Sequence, residues 1–245
     1  MYYYVGSKRL FNSDKIKWCS VKDSLEYLSK LDEIGVDTET EGFDPYTKNL
    51  LSIQLGDAGN QYFINLSEIS ITNYYNLLTS DKLFILQNAR FDLRFLIHKN
   101  IYLNKVYDTF LAECILTTGY EEGERDVSLK ALGKKYCNIE LDKSIRGKIR
   151  KEITDAVIIY GCDDVKYLLP IKSKQLEQIT KYDLTSILNL ENDVVKVFAR
   201  MEYNGIGFDV SNWKRVAEIT KSQVQKLEDT LDDIILNSMD GMRLM

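Results

Sequence analysis

The 245-residue sequence contains a single histidine and only four cysteines, which are scattered without Cys-x-x-Cys spacing. Such a poor supply of nitrogen and sulfur ligands excludes a structural zinc site, and the spacing argues against a disulfide framework. No apolar run approaches the roughly 18 residues of a membrane span, and the first residues lack the pattern of a signal peptide. We therefore expect a globular protein of a reducing, cytoplasmic compartment, without a membrane partner.

The acidic net charge of −5 conceals a basic segment. Residues 130–151 carry a local charge of +6, so the remaining sequence sums to −11. Acidic clusters beside a basic segment suit a site that holds cations and a phosphate strand. A solvated surface loop is the alternative interpretation of the basic run.

Short alternating apolar stretches predict strands near residues 34–36, 50–55 and 62–66, and their short connections indicate an antiparallel meander. A buried strand at 83–86 then opens a region in which strands and helices alternate. Residues 1–32 are predicted as a lead-in with one helix that begins after Ser20, a suitable N-cap. One later helix is predicted to carry apolar residues from Val157 to Ile171. The predicted fold class is α/β, with a mixed sheet flanked by helices.

Two carboxylates stand one residue apart at the end of the first of these strands, as Asp37 and Glu39. Side chains at i and i+2 of a strand point to the same face, so the two acids project side by side. Adjacent carboxylates repel each other, yet together they form a good oxygen site for a hard divalent cation. The alternative is a solvated strand end.

Further acids follow in settings that would let them converge on this pair. Asp92 is predicted in the first turn of a helix after the strand at 83–86, at an edge where open α/β sheets tend to bind ligands. Stabilisation of the helix start by its charge is the alternative role. Tyr160 and Asp164 lie at i and i+4 of a later helix, on one side of it.

Three motifs in this order resemble those of the DEDDy group of 3′–5′ exonucleases, a ribonuclease H-like superfamily: Asp37-x-Glu39, Asn88-x3-Asp92 and Tyr160-x3-Asp164. The resemblance covers Ser20 to Ile179. Two further stretches are similar to ribonuclease D-type and family A DNA polymerase proofreading domains: Leu141-Asp142-Lys143-Ser144 and Val165-x-Tyr167-Leu168-Leu169-Pro170. The tyrosine of the third motif selects the y-subtype.

The resemblance implies hydrolysis assisted by two divalent cations, Mg²⁺ or Mn²⁺. Asp37 would bridge both cations, Glu39 and Asp164 would complete the site that activates water, and Asp92 would hold the second cation. Tyr160 would orient the attacking water through its hydroxyl. The implied nucleic-acid contacts are Thr40, Phe43, Asn88 and Phe91, and we add the cations Lys143 and Arg146 of the basic segment.

Residues 1–180 are thus predicted to form an exonuclease domain, and residues 181–245 a helical extension. The phrase from Glu191 to Asp209 resembles the junction at which family A DNA polymerases pass into the thumb. No palm or fingers follow in the sequence, so we expect a polymerase module in cis or in trans.

The predicted function is removal of nucleoside monophosphates from single-stranded or frayed DNA 3′ ends, as proofreading in a replicative system, in a host cytoplasm if the protein is viral. Trimming of RNA 3′ ends, as in ribonuclease D, is the alternative within the enzyme class. A docking module that binds DNA ends without cutting is the alternative from another class.

Overall fold

A computed structural model describes residues 1–121, 125–141, 145 and 152–243, with side chains to residue 238. Within these residues, seven strands form one sheet: β1 (Tyr2–Val5), β2 (Ile16–Cys19), β3 (Glu33–Thr40), β4 (Leu50–Gly56), β5 (Gln61–Asn65), β6 (Leu83–Leu86) and β7 (Lys105–Asp108). The helices of the described chain are α1 (Val21–Leu28), α2 (Tyr75–Leu78, after a 3-10 turn at Ile71–Tyr74), α3 (Ala89–His98), α4 (Thr109–Leu116), α5 (Leu129–Cys137), α6 (Asp155–Lys166), α7 (Leu168–Lys181), α8 (Thr185–Asn204) and α9 (Val210–Arg243).

The strand order is β2-β1-β5-β4-β3-β6-β7. Strands β3, β4 and β5 pair antiparallel, as the predicted meander requires. Strand β6 pairs parallel with β3, and β7 pairs parallel with β6, each after a crossover through a helix. The predicted mixed α/β sheet is therefore confirmed. The carboxyl ends of β3 and β6 lie together, which places the residues that follow them at one edge of the sheet.

The first 32 residues hold more structure than the predicted helix. The helix is present as α1, and Ser20 caps it by accepting a hydrogen bond from the Asp23 N–H at 3.1 Å. Ahead of it, β1 and β2 extend the sheet beyond β5 in parallel pairing. Strands of four residues carry too few alternations to be recognised from sequence, and their stability comes from buried side chains such as Tyr4 and Val5.

The helix predicted from Val157 to Ile171 is two helices, α6 and α7, and the single-helix prediction is wrong. The break falls at Tyr167, directly before the first turn of α7, which contains Pro170. A proline ring clashes with the carbonyl four residues earlier, here that of Lys166, where α6 ends. Within the first turn of a helix the missing proline N–H removes no hydrogen bond. The break turns the chain so that α7 packs against α4 and α5.

Residues 1–204 form one compact unit and residues 205–245 another. The predicted boundary at 180 precedes α8, and α8 packs against α3 within the first unit through Val195 and Ala199. In the second unit, α9 has exposed apolar side chains at spacings of three, four or eight residues: Trp213, Val216, Val224, Leu227, Leu231 and Ile234. In the described part of the chain, no helix is both long enough and apolar enough to cross a membrane.

Candidate active site

The site is built around the end of β3, where Asp37 and Glu39 point to the face of the sheet that α6 covers. Gly35 is on the same face, and α6 approaches the strand closely at this point. A Cβ added to Gly35 would lie 2.9 Å from Val165 Cγ1 and 3.1 Å from the Val165 carbonyl oxygen. Only glycine leaves room for α6 at that position, so the sequence at Gly35 fixes how near the helix comes to the acids.

A second close approach lies on the helix itself, between the two residues of the third motif. A Cβ on Gly161 would lie 3.2 Å from Cδ and Nε2 of Gln54, the residue that pairs with Asp37 across β3 and β4. Gln54 is fully buried, so it has little space to move away. The small residue therefore allows Tyr160 and Asp164 to reach the level of the strand acids.

The result is a cluster of three carboxylates. Asp37, Glu39 and Asp164 each offer one oxygen, and these atoms all lie within 4.8 Å of one another. Three like charges at such distances repel strongly unless a cation or protons neutralise them. A donor set made only of carboxylate oxygens fits a hard cation such as Mg²⁺ or Mn²⁺ better than zinc. The residues present therefore fit the metal that the motifs imply.

Asp92 reaches the end of β3 from α3, and its partner is the residue between the two strand acids. The Thr38 hydroxyl donates to Asp92 Oδ1 at 2.5 Å. Asp92 is only 4% exposed. Burial raises the pKa of the Asp92 carboxyl well above its usual range, the nearby Asp108 carboxylate raises it further, and the Thr38 hydrogen bond opposes the rise. Asp92 lines the same cleft as the three-carboxylate cluster without being a member of that cluster.

Asp108, at the end of β7, is a buried acid that the sequence motifs do not contain. Its carboxylate accepts hydrogen bonds from the backbone N–H groups of Asn88 and Ala89, both at 2.8 Å, and of Phe110 at 2.9 Å. Burial raises the pKa of Asp108 to about 6, against the lowering effect of these hydrogen bonds. Asn88 has a left-handed backbone, with φ of 60°. Asp108 thus fixes the junction at which β6 turns into α3, one turn before Asp92.

The three-carboxylate cluster and Asp92 line one cleft of about 1080 Å³, and Asp108 lies behind its wall. All the predicted site residues that the structure describes lie along it: Asp37, Glu39, Thr40, Phe43, Asn88, Phe91, Asp92, Tyr160 and Asp164. Phe43 is 76% exposed, and its ring meets the ring of Phe91 edge-on at a centroid distance of 6.2 Å. Lys143 and Arg146 lie outside the described residues, so their positions stay predictions.

Two cations that were not among the predicted contacts, Arg125 and Lys130, line the cleft as well. Arg125 lies shortly before α5, whose N-cap is Ser128, and Lys130 lies in the first turn of that helix. Gln87 joins this part of the wall to the end of β6, because its Nε2 donates to the Val127 carbonyl oxygen at 2.8 Å. Arg125 is surrounded in the sequence by acidic residues, so no basic run indicates it. Lys130 is the first residue of the basic segment.

The chain belongs to a 3′–5′ exonuclease family, the type found in family A DNA polymerases, because the family profile matches residues 19–180. Family membership supports nuclease activity, in agreement with the motifs at Asp37, Asp92 and Asp164. The prediction from the motifs that the chain is a DEDD-type exonuclease is confirmed.

Two curated relatives are DNA polymerase I proteins. The chain is 25% identical over 226 residues to that of Aquifex aeolicus, which covers 84% of this chain and 38% of the relative. It is 27% identical over 231 residues to that of Borreliella burgdorferi, covering 85% of this chain and 24% of the relative. The chain therefore spans well under half the length of these relatives.

Solved structures share the fold. NrnC of Brucella melitensis with bound Mg²⁺ superposes with a TM-score of 0.65 at 20% identity, over 85% of this chain and 96% of NrnC. RNase D of Escherichia coli, an exoribonuclease, superposes with a TM-score of 0.65 at 18% identity, over 80% of this chain and 51% of RNase D. The sheet and its flanking helices thus have the ribonuclease H-like exonuclease arrangement that the sequence predicts.

Proposed function

We propose that the protein removes nucleoside monophosphates one at a time from DNA 3′ ends, as the proofreading exonuclease of a replication system. The observation that carries the proposal is the convergence of Asp37, Glu39 and Asp164 within 4.8 Å in a cleft that Tyr160 and Asp92 also line. Acids in one cleft, next to the exposed ring of Phe43, suit a reaction on the end of a polyanionic strand.

Asp37, Glu39 and Asp164 would hold a divalent cation, and Asp37 with Asp92 a second one. Bound there, Mg²⁺ or Mn²⁺ would neutralise charge on the reacting phosphate and lower the pKa of a nearby water. The structure of NrnC with bound Mg²⁺ supports this choice of ion for the fold.

The side chains around the acids would orient the reacting groups. Tyr160 lines the cleft one helical turn from Asp164, and its hydroxyl would position the attacking water. The water loses a proton to solvent and its oxygen forms a bond to the terminal phosphorus. The bond between that phosphorus and the 3′ oxygen of the preceding nucleotide breaks, and that oxygen keeps the electron pair and takes a proton from solvent. The backbone at Asn88, which Asp108 fixes by hydrogen bonds, would keep Asp92 in place for this reaction.

The strand would be held by stacking and by charge. Phe43 and Phe91 offer aromatic surface to the terminal base, which suits an enzyme that must accept every base. Thr40 and Asn88 would contact the terminal nucleotide or its phosphate. Arg125 and Lys130 would face the phosphates further along the strand, and we extend this role to Lys143 and Arg146.

The choice of DNA and the link to a polymerase rest on the curated relatives, both of which are named DNA polymerase I. We accordingly propose that residues 181–245 include the start of a thumb-like extension and that a polymerase module is the working partner. The structural likeness to RNase D favours a second candidate, trimming of RNA 3′ ends. A non-catalytic module for DNA ends is the third candidate, and the retained acids argue against it.

The experiment uses 3′-labelled single strands of DNA and RNA of one sequence, with Mg²⁺, and compares the wild type with Asp37→Ala. We expect the wild type to release labelled mononucleotide faster from DNA, and the variant to release none. Faster release from RNA would replace proofreading with trimming. Strand binding by the wild type without any release would leave only the docking module.

A further inference from the structure

The loop between β3 and β4, residues 41–49, is held by hydrogen bonds at both its base and its turn. At its base, the Glu41 N–H donates to the Asn49 carbonyl oxygen, and the Asn49 N–H donates to Glu41 Oε2, both at 3.0 Å. At its turn, Asp44 accepts hydrogen bonds from the Tyr46 N–H at 3.0 Å and the Thr47 hydroxyl at 2.8 Å. Phe43 lies between these two fixed points and lines the cleft.

Tyr46 holds this loop against the end of α8. Its ring stacks on the ring of Tyr203 at a centroid distance of 4.8 Å and an angle of 13°. Its hydroxyl donates to the Tyr203 carbonyl oxygen at 2.7 Å. The His98 ring meets Tyr46 edge-on at 5.7 Å, and His98 Nδ1 lies 3.3 Å from the Tyr203 hydroxyl.

This arrangement does little for the core, because Tyr46 is 59% exposed. The contact instead restricts the loop whose other aromatic side chain, Phe43, lines the cleft with 76% of its surface exposed. A loop that is free in solution must be ordered when a ligand binds, and the lost entropy weakens binding. Anchoring the loop beforehand removes that loss.

We propose that Tyr46 is a positioning residue that holds Phe43 ready to stack on the terminal base of a bound strand, an inference that rests on the proposed function. Tyr203 is its counterpart, so the last turn of α8 belongs to the strand-binding apparatus although it contributes nothing to the acid cluster. Holding Phe43 in place strengthens strand binding and leaves the rate of the chemical step unchanged.

The test compares Tyr46→Ala, Tyr46→Phe and the matched control Tyr182→Ala, since Tyr182 is 58% exposed and outside the cleft. Loss of an aromatic pair corresponds to about a three- to tenfold change. We expect Tyr46→Ala to raise KM, and Kd for 5′-fluorescent single-stranded DNA in EDTA, by about that factor. The value of kcat should stay within about twofold. Tyr46→Phe keeps the stack and should fall between wild type and Tyr46→Ala, and the control should match wild type.

A double-variant cycle with Phe43→Ala identifies the route of the effect. If Tyr46 acts by holding Phe43, then adding Tyr46→Ala to Phe43→Ala changes Kd no further. Independent, multiplying effects on Kd would overturn the inference, as would an unchanged Kd for Tyr46→Ala. Because Kd is measured without hydrolysis, a wild type that binds DNA and releases no nucleotide would overturn the proposed function alone. A wild type that neither binds the strand nor releases nucleotide with Mg²⁺ would overturn both.

Discussion

Thr38 donates its hydroxyl hydrogen to Asp92 Oδ1 at 2.5 Å, although 54 positions separate the two residues in the chain. Because side chains alternate along a strand, Thr38 points away from the face that carries Asp37 and Glu39. The end of β3 therefore meets the acid of α6 on one side and the acid of α3 on the other. One short strand segment organises all four acids of the cleft.

The Thr38 hydroxyl should matter because it is the partner of a buried carboxylate. Thr38→Val keeps the shape of the side chain and removes the hydrogen-bond donor. A hydrogen bond to a charged acceptor contributes about 1.5–3 kcal/mol of net free energy. We expect kcat/KM to fall about tenfold or more and the Mg²⁺ concentration for half-maximal rate to rise. Single-turnover rates across a Mg²⁺ titration measure both.

Two variants separate this effect from general destabilisation. Thr38→Ser restores a hydroxyl and should recover most of the rate. Thr117→Val removes another buried hydroxyl, one that donates to the Glu113 carbonyl within α4 and its cap, and it should leave the Mg²⁺ dependence unchanged. Equal Mg²⁺ curves for Thr38→Val and wild type would show that the Thr38–Asp92 contact is only structural.

The crowding of Asp37, Glu39 and Asp164 within 4.8 Å predicts a stability change that depends on metal. Without divalent ions, Asp37→Asn removes one of three repelling charges and should raise Tm by about 2–4 °C for each kcal/mol of repulsion relieved. With Mg²⁺, the wild type should gain stability by binding, and the variant much less. Thermal melts in EDTA and in Mg²⁺ provide the comparison. A variant less stable than wild type in EDTA would refute the repulsion argument.

The close approach of Gly161 to Gln54 predicts that a larger side chain at this position displaces α6. An alanine Cβ there would press on Gln54 at 3.2 Å, and Gln54 is a buried residue of β4 that pairs with Asp37. Overpacking of this kind costs about 1–3 kcal/mol, and the displaced α6 would carry Tyr160 and Asp164 out of line. We expect Gly161→Ala to lower kcat more than it raises KM.

The control for that variant is Gly207→Ala, because a Cβ at Gly207 meets nothing within 4 Å. Its melting temperature and kcat should equal those of wild type. Full activity in Gly161→Ala would mean that α6 tolerates the added methyl group and that the glycine does not set the distance between the acids.

The acids were predictable because each stands in a local pattern: a strand pair, a first helical turn, and an i, i+4 step on a helix. The second and third strands of the meander were predictable for the same reason, from apolar stretches of five or six residues. The break between α6 and α7 was also present in the sequence, as Pro170, but helical periodicity on both sides of it concealed the stop.

Other features could not be predicted from local patterns because they depend on which elements meet. Asp108 ends a short strand and looks like an ordinary helix cap, and only the neighbouring position of β6 shows that it also binds Asn88 and Ala89. Arg125 has an acidic sequence context and acquires its place in the cleft from the start of α5. The contact of Tyr46 with Tyr203 spans 157 positions, beyond the reach of any motif.

The cations of the cleft wall predict how activity depends on salt. Each phosphate contact releases about 0.7 counterions from a single strand, so losing two contacts should make the slope of log Kd against log salt shallower by about 1.4. We expect Arg125→Ala with Lys130→Ala to weaken strand binding at low salt and to have less effect at high salt. Fluorescence anisotropy with single-stranded DNA between low and high KCl measures the slope.

Lys174→Ala with Lys181→Ala removes the same charge from α7, whose residues do not line the cleft, and should leave the slope unchanged. If both double variants changed the slope equally, net charge rather than the position of Arg125 and Lys130 would govern strand binding.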